Sequence, residues 1–177
     1  MSAALPGGDL MLLYQRKVAL SSGKVIGYEA LLRQQTPKGT RGAAEVLAVS
    51  ARSGLSVALN EWVVRAVAQQ SLDWRRAGFV CPIAVNISGL QLRDPDLVRL
   101  MNELVTADPE LPKLLDLELP ESSLAQDSAD ELSNVKELTH LGFSIHICPS
   151  DAAFPDASRF SHLPVTAIKM GRSIVRK

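Results

Sequence analysis

From Gly42 onward the chain alternates between helical and extended segments, and that order leaves few folds open. "AAEVLAVSARSGL" and "VALNEWVVRAVAQQSLDWRRAG" carry helical periodicity, with Leu59, Trp62, Val63, Ala66 and Val67 on one face. Gly54 and Gly78 are placed to stop these helices. "CPIAVNIS" then reads as a strand, with Ile83, Val85 and Ile87 pointing one way and Ala84, Asn86 and Ser88 the other. Asp94 followed by Pro95 is an N-cap with proline at the first helical position, opening "PDLVRLMNELVTA". The strand "LLDLELP", a helix through "SADELSNVKELTHLG", the strand "FSIHI", an undefined connection and the strand "VTAIKM" complete the series. Ahead of it, "MLLYQRKVAL" and "KVIGYEALLR" flank "SSG", which predicts a hairpin. Alternation of this kind argues for parallel α/β architecture, either an open sheet or a (β/α) barrel. A complete barrel typically needs about 250 residues, more than the 177 present.

The length suits one domain with a sizeable core, read as a leader over 1–13 and a domain over 14–177. Nineteen basic and nineteen acidic residues cancel. No global field therefore steers the chain toward a nucleic acid polymer or an anionic membrane, and any anionic ligand must be held locally. There is no signal-like leader and no run of eighteen uncharged apolar residues, so the expectation is a soluble, cytoplasmic protein without membrane insertion. Cys81 and Cys148 suit a reducing compartment.

In parallel α/β proteins side chains converge beyond the carboxyl ends of the strands. The hairpin's second strand offers Glu29 and Arg33 there, the next strand Asn86, the next Glu118 and Glu121, and the last Lys169. Two carboxylates and an amide oxygen are hard donors of the type Mg²⁺ accepts, and an arginine fork suits phosphate. Any one of these residues alone is better read as a solvated or capping group. Their joint placement carries the argument.

"YQRKVAL", "GKVIGYEALLR", "LNEWVV", "AVNISGLQL", "LELPES", "LGFSI" and "LPVTAIKMGRSIV", in that order, resemble the EAL domain, the phosphodiesterase domain of bacterial cyclic di-GMP signalling. The resemblance runs from about Tyr14 to Val175. It implies a (β/α) TIM-like barrel whose first strand is antiparallel to the rest, here incomplete. By resemblance Glu29, Asn86 and Glu118 stand at metal-ligand positions, Glu121 at an acid that steadies an active-site loop, and Lys169 at an active-site lysine. Gln15, Leu31 and Arg33 match residues that contact the dinucleotide, with Arg33 at a phosphate; Arg16 stands where the family often has proline.

The chain departs from the family pattern at its acids. Where the family carries paired aspartates, this sequence has Cys148 and Pro149, followed by Ser150 and Asp151. Two-metal hydrolysis needs those carboxylates; cysteine is a soft ligand and proline has no side-chain donor. Asp151 compensates only if the loop register slips. Gly171 replaces a further aspartate, and Lys177 falls before the family's last two strands with their general base and nucleotide-pocket glutamine.

These losses predict a catalytically inactive, degenerate EAL-like protein acting in cyclic di-GMP signalling or regulation through protein contacts. Its partner protein or a second copy is expected to cover an open barrel. No cofactor is required, with Glu29, Asn86 and Glu118 leaving at most a vestigial Mg²⁺ or Mn²⁺ site. The alternatives are a non-hydrolysing cyclic di-GMP receptor using Gln15, Leu31 and Arg33, and a weak phosphodiesterase completed by another chain. His146 and Cys148 share a strand face, but two ligands do not make a zinc site, and a core histidine beside a buried thiol is the preferred reading. Cys81 reads as an inert thiol, Trp62 and Trp74 as packing residues, and "QRK" and "DWRR" as solvated surface.

Overall fold

A computed structural model describes residues 4–5, 8–124, 129–149, 160 and 163–170. The chain divides into two compact units, Met1–Val85 and Asn86–Lys177.

In the first unit β1 (Ala4–Leu5) pairs antiparallel with β2 (Gly8–Val18), and β2 pairs antiparallel with β3 (Val25–Thr36), as the sequence predicts for the hairpin. β2 begins at Gly8, so the ladder reaches into the stretch read as leader. A short β4 (Gly39–Gly42) folds back on β3 with Thr36 opposite Gly39. Nothing apolar in "TPKGTRG" announces it; the Thr36 hydroxyl closes the turn by donating to the Gly39 carbonyl at 2.7 Å. Helices α1 (Ala43–Arg52) and α2 (Ser56–Arg76) follow, and β5 (Ile83–Asn86) returns parallel to β3 with Tyr28 opposite Ile83. The strand that leads the hairpin therefore runs antiparallel to β3 and, through it, to β5.

The hairpin's two faces differ because side chains alternate along a strand. One face packs on the helices: Leu32, Val46 and Leu59 form a core with Leu10, Leu12, Ala43, Trp62 and Val63 against it. Beside it Trp74 meets Tyr14 and Tyr28, each at 5.0 Å between ring centroids, and Phe79 at 5.3 Å. Both tryptophans are packing residues, as expected. The opposite face carries Met11, Leu13 and Gln15 of β2 opposite Arg33, Leu31 and Glu29 of β3.

In the second unit α3 (Gly89–Arg93) precedes α4 (Pro95–Ala107), whose Asp94 cap accepts from the Asp96 amide as the Asp-Pro pair predicts. β6 (Leu115–Pro120), α5 (Ala129–His140), β7 (Ser144–Cys148) and β8 (Ala167–Ile168) follow. β6 pairs parallel with β7, and β7 parallel with β8. Leu115, Leu117, Leu119, Ile145 and Ile147 are fully buried. Those leucines and isoleucines occupy one face of the strands, so Asp116, Glu118, His146 and Cys148 share the other. β8 is shorter than "VTAIKM", yet Thr166 N donates to Ile145 O and Lys169 N to Ile147 O, both at 2.8 Å, which continues the ladder on either side.

Candidate functional site

Among the described residues the second unit holds the most developed polar arrangement, at the carboxyl ends of its parallel strands. Glu118, late in β6, is 2% exposed. The Lys169 ammonium, just past β8, donates to its Oε2 at 2.8 Å. The Cys148 thiol at the end of β7 lies 3.9 Å from the same oxygen. Three strands thus deliver a carboxylate, an ammonium and a thiol to one point. The parallel register sets Glu118 opposite His146 and Pro120 opposite Cys148, which brings residues far apart in sequence onto one face. One layer nearer the amino ends, His146 Nε2 stands 3.8 Å from Asp116 Oδ1, and both side chains are largely buried.

Asn86 ends β5 and is exposed, and the next amide, Ile87, donates to the Glu118 carbonyl at 2.9 Å. Glu121 opens the 3-10 turn Glu121–Ser123 directly after β6 and is half-buried. Pro149 follows β7, also half-buried. Ser150, Asp151 and Gly171 lie outside the described residues.

In the first unit, the hairpin face away from the helices gathers the residues matched to nucleotide contacts. Gln15 stands opposite Glu29, Leu13 opposite Leu31 and Met11 opposite Arg33. Gln15, Leu13 and Met11 are exposed, while Glu29, Leu31 and Arg33 are half-buried. Arg33 is not extended freely into water, since its Nη1 donates to the Leu32 carbonyl at 2.7 Å. Cys81 is a half-buried free thiol whose pKa is pushed up by burial and opposed by nearby Lys17, which fits an inert role.

The sequence reading passed over α3, a support for this region. Ser88 and Gln91 form a capping box: the Ser88 hydroxyl accepts from the Gln91 amide at 3.2 Å and Gln91 Oε1 accepts from the Ser88 amide at 2.9 Å. The pattern Ser-x-x-Gln in "SGLQ" was the available signal. Gly89, inside the box, packs so closely on the turn after β6 that a Cβ there would lie 2.6 Å from Ser123 Oγ. A side chain there would force Ser123 to shift, and the close approach seats α3 beside the turn that begins at Glu121.

Mixed α/β units with polar groups at the ends of parallel strands define a parallel α/β protein, and the sequence assigns it further. A profile of the EAL domain matches residues 1–177, and the chain belongs to the EAL domain family. Its relatives include an uncharacterized signaling protein of Caulobacter vibrioides, 32% identical over 168 residues, covering 94% of this chain and 20% of the relative. The cyclic di-GMP phosphodiesterase PdeR of Escherichia coli is 30% identical over 174 residues, covering 98% of this chain and 26% of PdeR. The chain therefore spans between a fifth and about a quarter of these curated relatives. Among solved structures, a PaMucR phosphodiesterase in complex with c-di-GMP superposes with a TM-score of 0.84 at 30% identity, covering 94% of this chain and 68% of the other. The FimX EAL domain of Xanthomonas citri, in complex with c-diGMP, shares the fold at a TM-score of 0.81 and 19% identity, covering 95% of this chain and 66% of that one. The fold class read from the sequence, α/β of the incomplete TIM-like EAL type, agrees with these structures.

Proposed function

We propose that this chain is a non-hydrolysing EAL domain that acts in cyclic di-GMP signalling through contacts with a partner protein. The observation that carries the reading is the set of groups on Glu118. A divalent cation used for phosphodiester hydrolysis demands hard oxygen donors and a surplus of negative charge. Glu118 Oε2 meets an ammonium at 2.8 Å and a thiol at 3.9 Å, and the position after that cysteine is a proline. The ammonium balances the carboxylate from a position the family also fills with lysine, so the departure lies in the thiol, which is too soft for Mg²⁺, and in Pro149, which supplies no donor. These residues do not fit a two-metal centre of the kind the family resemblance implies, in which Glu29, Asn86 and Glu118 would be remnants. No catalytic step is assigned to Glu121 or Lys169 on this reading.

A second reading is favoured by a different observation. Gln15, Leu31 and Arg33 occupy one face of the β2–β3 ladder and remain accessible. That face could hold a guanine base edge and a phosphate without any metal. On this reading the chain is a cyclic di-GMP receptor.

Calorimetric titration with cyclic di-GMP in Mg²⁺ and then in Ca²⁺, with product analysis of the same mixture, separates the cases. Neither binding nor hydrolysis is the expected result for a domain acting through protein contacts. Micromolar binding without turnover, lost in Arg33→Ala, assigns the receptor. Any metal-dependent appearance of the linear dinucleotide sinks the proposal.

A further inference from the structure

The amino-terminal end of β3 carries a surface that neither reading uses. The turn between β2 and β3 is closed by Ala19 N donating to Lys24 O at 2.9 Å, with Gly23 in the left-handed region at φ 66°. At its tip Leu20 is fully exposed, at 101%. Val18, Val25 and Ile26 beside it are exposed, as are Phe79 and Val80 from the segment between α2 and β5. Those two segments adjoin. Tyr28 N donates to Pro82 O at 2.9 Å, and the rings of Tyr28 and Phe79 lie 5.9 Å apart. Single exposed aliphatics are ordinary, but a contiguous set on one end of a sheet is not.

The charge at this end is mostly positive, with Asp73 paired to Arg76 at 3.7 Å. Residues 14–28 and 73–82 contain Arg16, Lys17, Lys24, Arg75 and Arg76 against Asp73 alone, so five positive charges less one negative leave +4 in a chain whose total is zero. Arg16, Lys24 and Arg76 are exposed. Lys17 lies along the strand beside Gly27, where an added Cβ would meet its side chain at 3.1 Å and Pro82 O at 3.2 Å.

We infer that this end docks on an anionic lipid surface, with the hairpin tip entering the headgroup region and the basic residues facing lipid phosphates. Exposed aliphatic and aromatic groups set among cations are the combination that such a surface rewards. A second copy of the chain is disfavoured, because it would oppose +4 with +4. A neutral apolar partner offers nothing to the exposed Arg16 and Lys24. Leu20 sits on a projecting turn, and a fluid interface closes around such a tip, whereas a protein must present a pocket already shaped to it. Attachment is peripheral, since no helix among the described residues is long and apolar enough to cross a membrane. Arg33 stands six residues from Gly27 along β3, about 20 Å at the usual strand rise, so docking leaves the nucleotide-facing end of the hairpin in solution.

The test is co-sedimentation of the 177-residue chain with phosphatidylcholine vesicles, with and without about 30% phosphatidylserine. Binding is expected on the anionic vesicles only and should fall as salt rises. Leu20→Ser and Lys24→Glu change exposed positions of the turn, and circular dichroism checks that the fold is kept. Each unit of charge changed should alter the partition coefficient roughly fivefold, so Lys24→Glu weakens binding well over tenfold, and Leu20→Ser weakens it severalfold. Equal binding to neutral vesicles, no binding to anionic ones, or indifference to both variants overturns the inference. Retention on immobilised poly-glutamate without vesicle binding also overturns it, and assigns the face to an acidic protein.

Discussion

Replacing Lys169 by methionine removes the ammonium that faces Glu118 and keeps most of the side-chain volume. The carboxylate left behind is 2% exposed, whereas the lysine side chain is 39% exposed. Breaking a buried pair by removing one partner costs about 3–5 kcal/mol. Water reaching Lys169 screens part of that interaction and both residues keep other contacts, so about 2 kcal/mol is the appropriate figure here. In a chain of this size that lowers Tm by about 4–8 °C. Glu118→Gln removes the charge from the other side and should cost less, because an amide can still accept from Lys169. In the double variant a methionine faces a neutral amide and no buried charge remains, so the two losses should not add. The coupling expected from the cycle is about 1–2 kcal/mol. Urea unfolding followed by far-UV circular dichroism measures all four proteins, with unchanged m values as the check that the unfolded state is comparable. A coupling within about 0.5 kcal/mol of zero would refute the claim that the ammonium balances this carboxylate.

Three further outcomes are expected. Cys148→Asp combined with Pro149→Asp places two carboxylates at the end of β7 beside Glu118, and Mn²⁺ should then raise Tm where it does not for the parent chain; no metal-dependent shift would mean that these positions do not face the site. Gly89→Ala sets a Cβ 2.6 Å from Ser123 Oγ and should cost about 1–3 kcal/mol as overpacking, with part recovered by adding Ser123→Gly; the same loss in both backgrounds, read from urea midpoints, would discard the clash. Burial pushes the Tyr14 hydroxyl up to about 12, so the neutral form is favoured in the folded state. Stability from this group is fully present below the unfolded pKa of about 10 and is lost as pH climbs through the folded value, by about 1–2 kcal/mol after solvent screening. Tyr14→Phe should flatten that alkaline decline, and identical slopes for the two proteins between those pH values would exclude Tyr14 as its source.

The elements legible in the sequence are those governed by local, periodic forces. The hairpin showed through Ser21, Ser22 and Gly23 between two apolar runs, and α1 and α2 through apolar residues at helical spacing. Asp94 and Pro95 marked the start of α4 because capping involves only neighbouring residues. β4 was not legible, since its pairing with the end of β3 depends on a threonine-closed turn rather than on apolar alternation. α3 was missed although Ser88 and Gln91 spell its cap, because five residues are too few to display a periodicity. β8 was placed correctly but drawn too long, its flanking residues being tied to β7 by single hydrogen bonds.

The sequence by itself determined the family, the alternation of helices and strands, and the chemistry available at each strand end, including the thiol and the proline at 148 and 149. Side-chain identity is covalent and needs no folding to be read. Only the tertiary structure decided that Lys169 pairs with Glu118 across 51 residues of chain, that Cys148 approaches the same oxygen, and that Gly89 lies so close to Ser123 that a side chain there would displace it. The exposed tip at Leu20 and its basic surroundings likewise came from two segments laid side by side. Such contacts follow from strand register, which the burial of leucines and isoleucines on the opposite face enforces. A local pattern can say which face a residue takes; which distant residue shares that face is settled when the strands pack.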